Sequence, residues 1–290
     1  MFYQSIRIQI AIITKLINNT KFKIDKGDHL LDTHTHILWN IDDGSKNQCM
    51  SVQMLETAAR SGTKAIFATP HVIERANKPS WEEIKEKTQQ LRQLCAEAQI
   101  DIMLYPGAEV QMNWELLPEL GATGAYCLNG GRYLLIELPA AEIPAYADEF
   151  WYELELKGIT PILAHPERYQ QLRENPDLLL LWRRRGMLMQ CNSGSFTGMF
   201  GSSVCENAKV LLANGLVDLL GSDGHRSEGR NTDMSRAAAV IRQLAGEEVL
   251  RQLTETNPQA ILKNQEIELK QPKVLLEDKP KSFWQKLFGK

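Results

Sequence analysis

The chain of 290 residues has little cysteine: Cys49, Cys95, Cys127, Cys191 and Cys205 are odd in number and widely spaced. That pattern argues against a secreted disulfide framework and points to the reducing cytoplasm. No C-x-x-C pair occurs, so a structural zinc ribbon is excluded. A basic excess is also missing. Lys and Arg number 33 against 36 Asp and Glu, a net charge of −3. No global positive field is present to hold nucleic acid. The low-polarity run near the start, Ile8 to Thr14, falls far short of the about 20 residues of a membrane span. A phosphate-loop motif, a G-x-G-x-x-G turn after a strand and a G-x-S-x-G elbow are all absent. A cysteine phosphatase would need C-x5-R, and the spacing from Cys127 to Arg132 is one residue short. Cys127 therefore reads as an ordinary loop or buried thiol.

What is present is a globular composition, 43% apolar and 24% charged, long enough for a large core. Short apolar runs alternate with amphipathic segments. Strands are predicted at Leu30–His34, Lys64–Pro70, Asp101–Val110, Tyr133–Leu138, Ile159–His165, Met187–Asn192 and Val217–Asp223. Between or after them, helices are predicted at Asn47–Ser61, Trp81–Ala98, Trp114–Leu120, Ala145–Lys157, Pro176–Arg185, Val204–Asn214 and Met234–Ala245. Seven such units predict an α/β fold with a parallel sheet, a closed or distorted (β/α)7 barrel. An open doubly wound sheet is the alternative.

This body is expected to span 30–265. Residues 1–29 form an extension in which Ile6, Ile8, Ile10 and Ile12 alternate, as in a strand or an interfacial segment. Residues 266–290 form a tail. From Pro272 onward it carries five lysines against Glu277 and Asp278, a local net of +3. Phe283, Trp284, Leu287 and Phe288 would share one face of a short helix there. Such a tail could touch an anionic membrane surface weakly, dock on a partner, or fold back on the body as a solvated appendage.

Five of the six histidines fall at or just past the end of a predicted strand: His34, His36, His71, His165 and His225. Acids occupy matching places at Asp43, Glu109, Glu137 and Asp223. In a parallel barrel all C-terminal strand ends open on one face, so these nine donors converge there. Gathered, partly buried charges need compensating cations, and two or three divalent metals supply them. Imidazole and carboxylate without thiolate suit Mn²⁺, Zn²⁺ or Fe. Side chains repeat every two residues along a strand, which pairs His34 with His36, and pairs Asp223 with His225 if the strand continues.

The motifs HTHILWNIDDG, ATPH, GAEV, IEL, AHPERY and GSDGH, in this order, resemble the PHP (polymerase and histidinol phosphatase) metallohydrolases. More closely they resemble the bacterial manganese-dependent protein-tyrosine phosphatases of capsular and exopolysaccharide synthesis, the CpsB/CapC type. The resemblance runs from about Leu30 to Asn264. It implies a distorted (β/α)7 barrel with three divalent ions, Mn²⁺ expected, with Fe or Zn²⁺ as alternatives. One would take His34, His36, Glu109 and Asp223. A second would take Glu109, Glu137 and His165, and a third Asp43, His71 and His225. Arg168 resembles the family's phosphate-contacting arginine. Arg230 lies where a second is expected, with Arg226 nearby. Trp39-Asn40 departs from the usual proline-glycine pair, and Gly224 stands where alanine is common.

The implied substrate is phosphotyrosine on the tail of a bacterial tyrosine kinase that controls polysaccharide export. Hydrolysis would use metal-activated hydroxide, with paired ions lowering the pKa of water toward about 7. The alternatives are a small-molecule phosphoesterase such as a histidinol-phosphate phosphatase, and a non-catalytic metal-stabilised scaffold that binds a kinase. Oligomerisation is left open. Among the remaining residues, Arg183-Arg184-Arg185 reads as a solvated helix end. Trp81, Trp151 and Trp182 read as packing residues, His29 as a surface residue, and Gly107 as permitting close backbone packing.

Overall fold

The computed structural model describes residues 29–121, 124–270 and 272. The expected extension, apart from His29, and most of the expected tail lie outside them. Among the described residues, nine strands form two parallel sheets. The first has the order β1 (Leu30–Thr35), β2 (Thr63–Ala68), β4 (Met103–Pro106). The second runs β3 (His71–Val72), β5 (Glu109–Gln111), β6 (Tyr133–Glu137), β7 (Thr160–Ala164), β8 (Leu188–Asn192), β9 (Leu219–Gly221).

The two sheets are one barrel wall with two breaks. Pro70 has no backbone N–H, so β2 stops and the chain resumes as β3. The predicted strand Asp101–Val110 divides at Gly107 into β4 and β5. A Cβ on Gly107 would lie 2.6 Å from Leu128 Cδ2, so glycine lets the chain step between sheets without displacing that leucine. Hydrogen bonds bridge the steps: Thr69 N to Thr35 O at 2.8 Å, Gly107 N to Ala68 O at 2.9 Å, and Glu109 N to Pro70 O at 3.0 Å. On the far side, Asp223 N donates to His34 O at 2.7 Å and His36 N to Gly224 O at 2.9 Å, joining the end of β9 to the end of β1. The result is a distorted, parallel barrel with helices outside.

Barrel polarity follows the period of two. Inward residues near the strand starts form one cluster with Phe67, Tyr133, Leu135, Ile162, Leu188 and Leu219. Further along the same rows stand Glu137, Gln190, Asn192 and Asp223. Outward residues such as Ile66, Leu134, Ile136, Leu163, Met189 and Leu220 pack with the helices in a larger cluster. Trp151 and Trp182 are buried there, with ring centroids 5.6 Å apart.

Several predicted elements change form. Pro118 sits inside Trp114–Glu119, which is a 3-10 helix. The arginine run is not wholly solvated: Arg183 is buried and pairs with Asp218 at 2.7 Å. That aspartate would otherwise be an uncompensated buried charge. Ile267 is buried against the barrel cluster, two residues past the expected boundary at 265.

Candidate metal centre

The C-terminal strand ends bring the nine predicted donors to one place. His34 in β1 and His36 just past its end are fully buried with Nε2 atoms 3.1 Å apart. Glu109 Oε2 lies 3.2 Å from each of those nitrogens. Asp223 Oδ1 lies 3.5 Å from the first and 3.4 Å from the second. Ligands about 2.0–2.1 Å from a common centre in a tetrahedron stand about 3.3–3.4 Å apart, and these separations cluster around that value.

Two more groups adjoin. His71 Nδ1 is 3.1 Å from Glu109 Oε2 and 3.3 Å from Glu137 Oε1. The β3–β5 register, which sets His71 opposite Glu109, produces the first contact. His165 Nε2 meets the other Glu109 oxygen at 2.8 Å. In this group His71 stands beside the two glutamates, and His165 approaches Glu109 from the opposite oxygen. Towards solvent, Asp43 Oδ1 is 3.3 Å from His225 Nε2 and 3.7 Å from His71 Nε2. Asp43 is the open member of the set, with a side chain 64% exposed.

Neighbouring groups orient these rings. His36 Nδ1 donates to Asp42 Oδ2 at 2.7 Å, His34 Nδ1 to Gln190 Oε1 at 2.9 Å, and His225 Nδ1 to the Asp223 carbonyl at 2.9 Å. Each bond leaves the Nε2 lone pair facing inward. Gln190 Nε2 bonds to the Cys191 carbonyl and Asn192 Oδ1, which fixes its own orientation. Asp32 Oδ1 accepts from the amides of His34 and Ser222, at 3.2 and 2.8 Å. Sequence reasoning passed over Asp42, Gln190, Asn192 and Asp32. Gln190 and Asn192 carry a usable signal, since polar residues end an inward strand row.

Backbone strain collects here too. His165 has φ 37 although Pro166 follows it, and Asp223 has φ 52. Such left-handed residues cost about 1–3 kcal/mol and persist where the surroundings hold them. The extended conformation therefore does not continue from Asp223 to His225; a left-handed turn brings their side chains together instead. Gly221 permits the approach of β9, since a Cβ there would lie 2.5 Å from His34 Cβ.

Four buried atoms facing the cluster have no hydrogen-bond partner: His71 Nδ1, Glu109 Oε2, Asp223 Oδ1 and His225 Nε2. Unpaired buried acceptors are costly unless something positive lies between them. Burial disfavours the ionised carboxyls of Glu109 and Asp223, yet the surrounding histidines, His34 foremost, hold both well below their ordinary values. Burial, with the like charge of His36, pushes His225 down to about 4. Hard carboxylates plus inward lone pairs suit divalent cations.

At the rim, Arg168 Nη1 reaches Asp223 Oδ2 at 3.1 Å and Asn192 Nδ2 reaches it at 2.6 Å. Arg230 Nη2 donates to the same oxygen. Arg226 is turned away, its Nη1 on the carbonyls of Asp43, Gly44 and His225. Trp39 is buried, with the Lys87 ammonium 5.1 Å from its ring centroid, and Asn40 takes φ 49.

The family model described as "Capsular polysaccharide synthesis, CpsB/CapC" matches residues 30–263. This chain belongs to that family. Tyrosine-protein phosphatase YwqE of Bacillus subtilis (strain 168) is 34% identical over 238 residues, 82% of this chain and 93% of that protein. Tyrosine-protein phosphatase CpsB of Streptococcus pneumoniae is 28% identical over 241 residues, 81% of this chain and 99% of that one. A crystal structure described under YwqE from Bacillus subtilis and CpsB from Streptococcus pneumoniae, "unique metal-dependent tyrosine phosphatases", aligns with TM-score 0.80 at 33% identity. It covers 86% of this chain and 100% of that chain. Histidinol phosphate phosphatase from Lactococcus lactis aligns with TM-score 0.50 at 16% identity, over 75% of this chain and 94% of that one, a likeness of fold alone. No helix among the described residues is long and apolar enough to cross a membrane.

Proposed function

We propose that this chain is a metal-dependent protein-tyrosine phosphatase acting on the phosphotyrosine tail of a bacterial tyrosine kinase of polysaccharide synthesis. The observation that carries the reading is the pair Arg168 and Arg230 at the rim of the donor cluster, both on Asp223 Oδ2. The three-ion assignment, Mn²⁺ and the cytoplasm are part of the proposal. Divalent ions held by the nine donors would supply hydroxide at neutral pH and offset phosphoryl charge.

The chain's own residues do the rest. Arg168 and Arg230 present guanidinium N–H groups to the phosphoryl oxygens, where charge gathers in the transition state. Asp223 aligns them before substrate arrives. Asp43, at the mouth, would offer its carboxylate to a metal beside His225, whose Nε2 is 3.3 Å away. It is ionised at neutral pH and has no proton to give. His225 is neutral there as well. A leaving group that departs without a proton is favoured, and tyrosine's phenolate (pKa about 10) meets that condition far better than a serine alkoxide. Phosphotyrosine is favoured over histidinol phosphate, an alkyl ester, on the same ground.

The test is phosphate release by chelator-stripped protein given Mn²⁺, with phosphotyrosine peptide, phosphoserine peptide and histidinol phosphate in parallel. Selective turnover of phosphotyrosine is expected. Preferential turnover of histidinol phosphate would move the protein to small-molecule metabolism, and kinase binding without turnover of any ester would favour a scaffold.

A further inference from the structure

Phe200 lies in the turn that follows the short helix Ser193–Phe196, far in sequence from both rim arginines. Its ring centroid is 4.7 Å from the Arg168 guanidinium and 5.7 Å from that of Arg230. The two cations thus share one aromatic ring as well as one carboxylate oxygen. They come from different parts of the barrel: Arg168 follows β7, and Arg230 lies in the loop after β9. Two guanidinium groups this close repel each other, and the negative face of a ring offsets part of that repulsion. Gly194 makes room for the turn, since a Cβ there would lie 2.9 Å from Met199 Sδ and 3.1 Å from Phe200 Cε2.

We propose that Phe200 is a positioning residue that keeps Arg168 and Arg230 paired on one phosphoryl group. The proposal rests on the phosphatase reading for the identity of that anion. When the guanidinium groups turn from Asp223 Oδ2 to an incoming phosphoryl group, the ring is the contact that still restricts them. An arginine side chain otherwise has much rotamer freedom to lose on binding. A different role, a wall for the aromatic leaving group, would touch aryl esters only, and this separates the two.

The experiment uses the full chain supplied with Mn²⁺ and reads the affinity for inorganic phosphate by calorimetry, beside kcat/KM for an aryl and an alkyl phosphate monoester. Phe200→Leu is expected to weaken phosphate binding roughly three- to tenfold, the scale of a partly desolvated cation–π contact. It should lower kcat/KM for both esters by the same factor. Phe200→Trp, which keeps an aromatic face, should stay within about twofold of wild type. In an Arg168→Ala, Arg230→Ala background, Phe200→Leu should change phosphate affinity no further. Unchanged phosphate affinity in Phe200→Leu, a loss confined to the aryl ester, or an equal loss without the arginines would overturn the proposal. Phosphate binding that depends on Phe200 in a protein unable to hydrolyse phosphotyrosine would sink the phosphatase reading and leave this one standing.

Discussion

His34 and His36 turn their Nε2 atoms toward each other at 3.1 Å, both rings fully buried and each Nδ1 already engaged, by Gln190 and Asp42. Two bare lone pairs repel at that distance, so a proton or a cation must lie between them. Without a cation the histidines hold protons. Burial lowers the affinity of His34 and His71 for a proton, but Glu109 and the nearby acids outweigh it and raise both above their ordinary value. In His36, Asp42 together with Asp223 and Glu109 outweighs burial in the same sense. Metal ligation needs neutral imidazole, so Mn²⁺ uptake at neutral pH should release protons, and affinity should rise with pH. Calorimetry in buffers of different ionisation enthalpy measures the release. Uptake without proton release, and with equal affinity at about pH 6 and 8, would refute this account of the cluster.

Asp42 touches His36 Nδ1, the His71 amide and the Gly44 amide, so it fixes a ring and two backbone segments. Asp42→Asn keeps the shape and weakens acceptance from His36. Metal affinity should fall about 10- to 100-fold, with turnover recovered at high Mn²⁺. A metal titration of activity checks this, and wild-type affinity in the variant would remove Asp42 from the site.

Cys127 is buried, which pushes its thiol up to about 12. At pH 8 the thiolate fraction is about 10⁻⁴. Iodoacetamide should label the exposed Cys49 first, and Cys127→Ser should leave turnover unchanged. Inactivation that tracks alkylation of Cys127 would contradict a reaction without cysteine.

Arg183 makes two bonds to Asp218, 2.9 Å from Nη1 to Oδ1 and 2.7 Å from Nη2 to Oδ2, just before the start of β9. This is the end of the barrel opposite the donor cluster. Arg183→Ala strands a buried carboxylate, and about 3–5 kcal/mol of stability should be lost at neutral pH. Burial already raises Asp218, and losing the guanidinium raises it further. The native state then holds a proton that the unfolded state gives up, so the variant's stability falls as pH rises through the raised value and recovers in acid. Denaturant titrations at about pH 5 and 8 test the sign. A loss under about 1 kcal/mol at both would mean that the pair is solvated.

Much of this was legible in the residues. Strand alternation and the position of each His and acid at a strand end give the parallel barrel and the shared face, because both follow from local periodicity. The split of Asp101–Val110 was not legible, since Gly107 reveals its role only through Leu128, which comes from a distant turn. The burial of Arg183 depends on Asp218, 35 residues away, and a run of three arginines gives no hint of it. Phe200 is invisible for the same reason: its partners meet it only in three dimensions. Asp43 and Asp42 are adjacent in IDDG, yet one faces the donors and the other braces a ring, a division set by the turn at Gly44.

The most direct measurement is turnover of a phosphotyrosine peptide as a function of metal bound per chain, with Mn²⁺ titrated into chelator-stripped protein and bound metal counted at each point. No turnover is expected in the metal-free chain, and a rise that completes only after more than one ion is bound, reaching three per chain at saturation. Full turnover in the metal-free protein, or a maximum reached with a single ion, would contradict this.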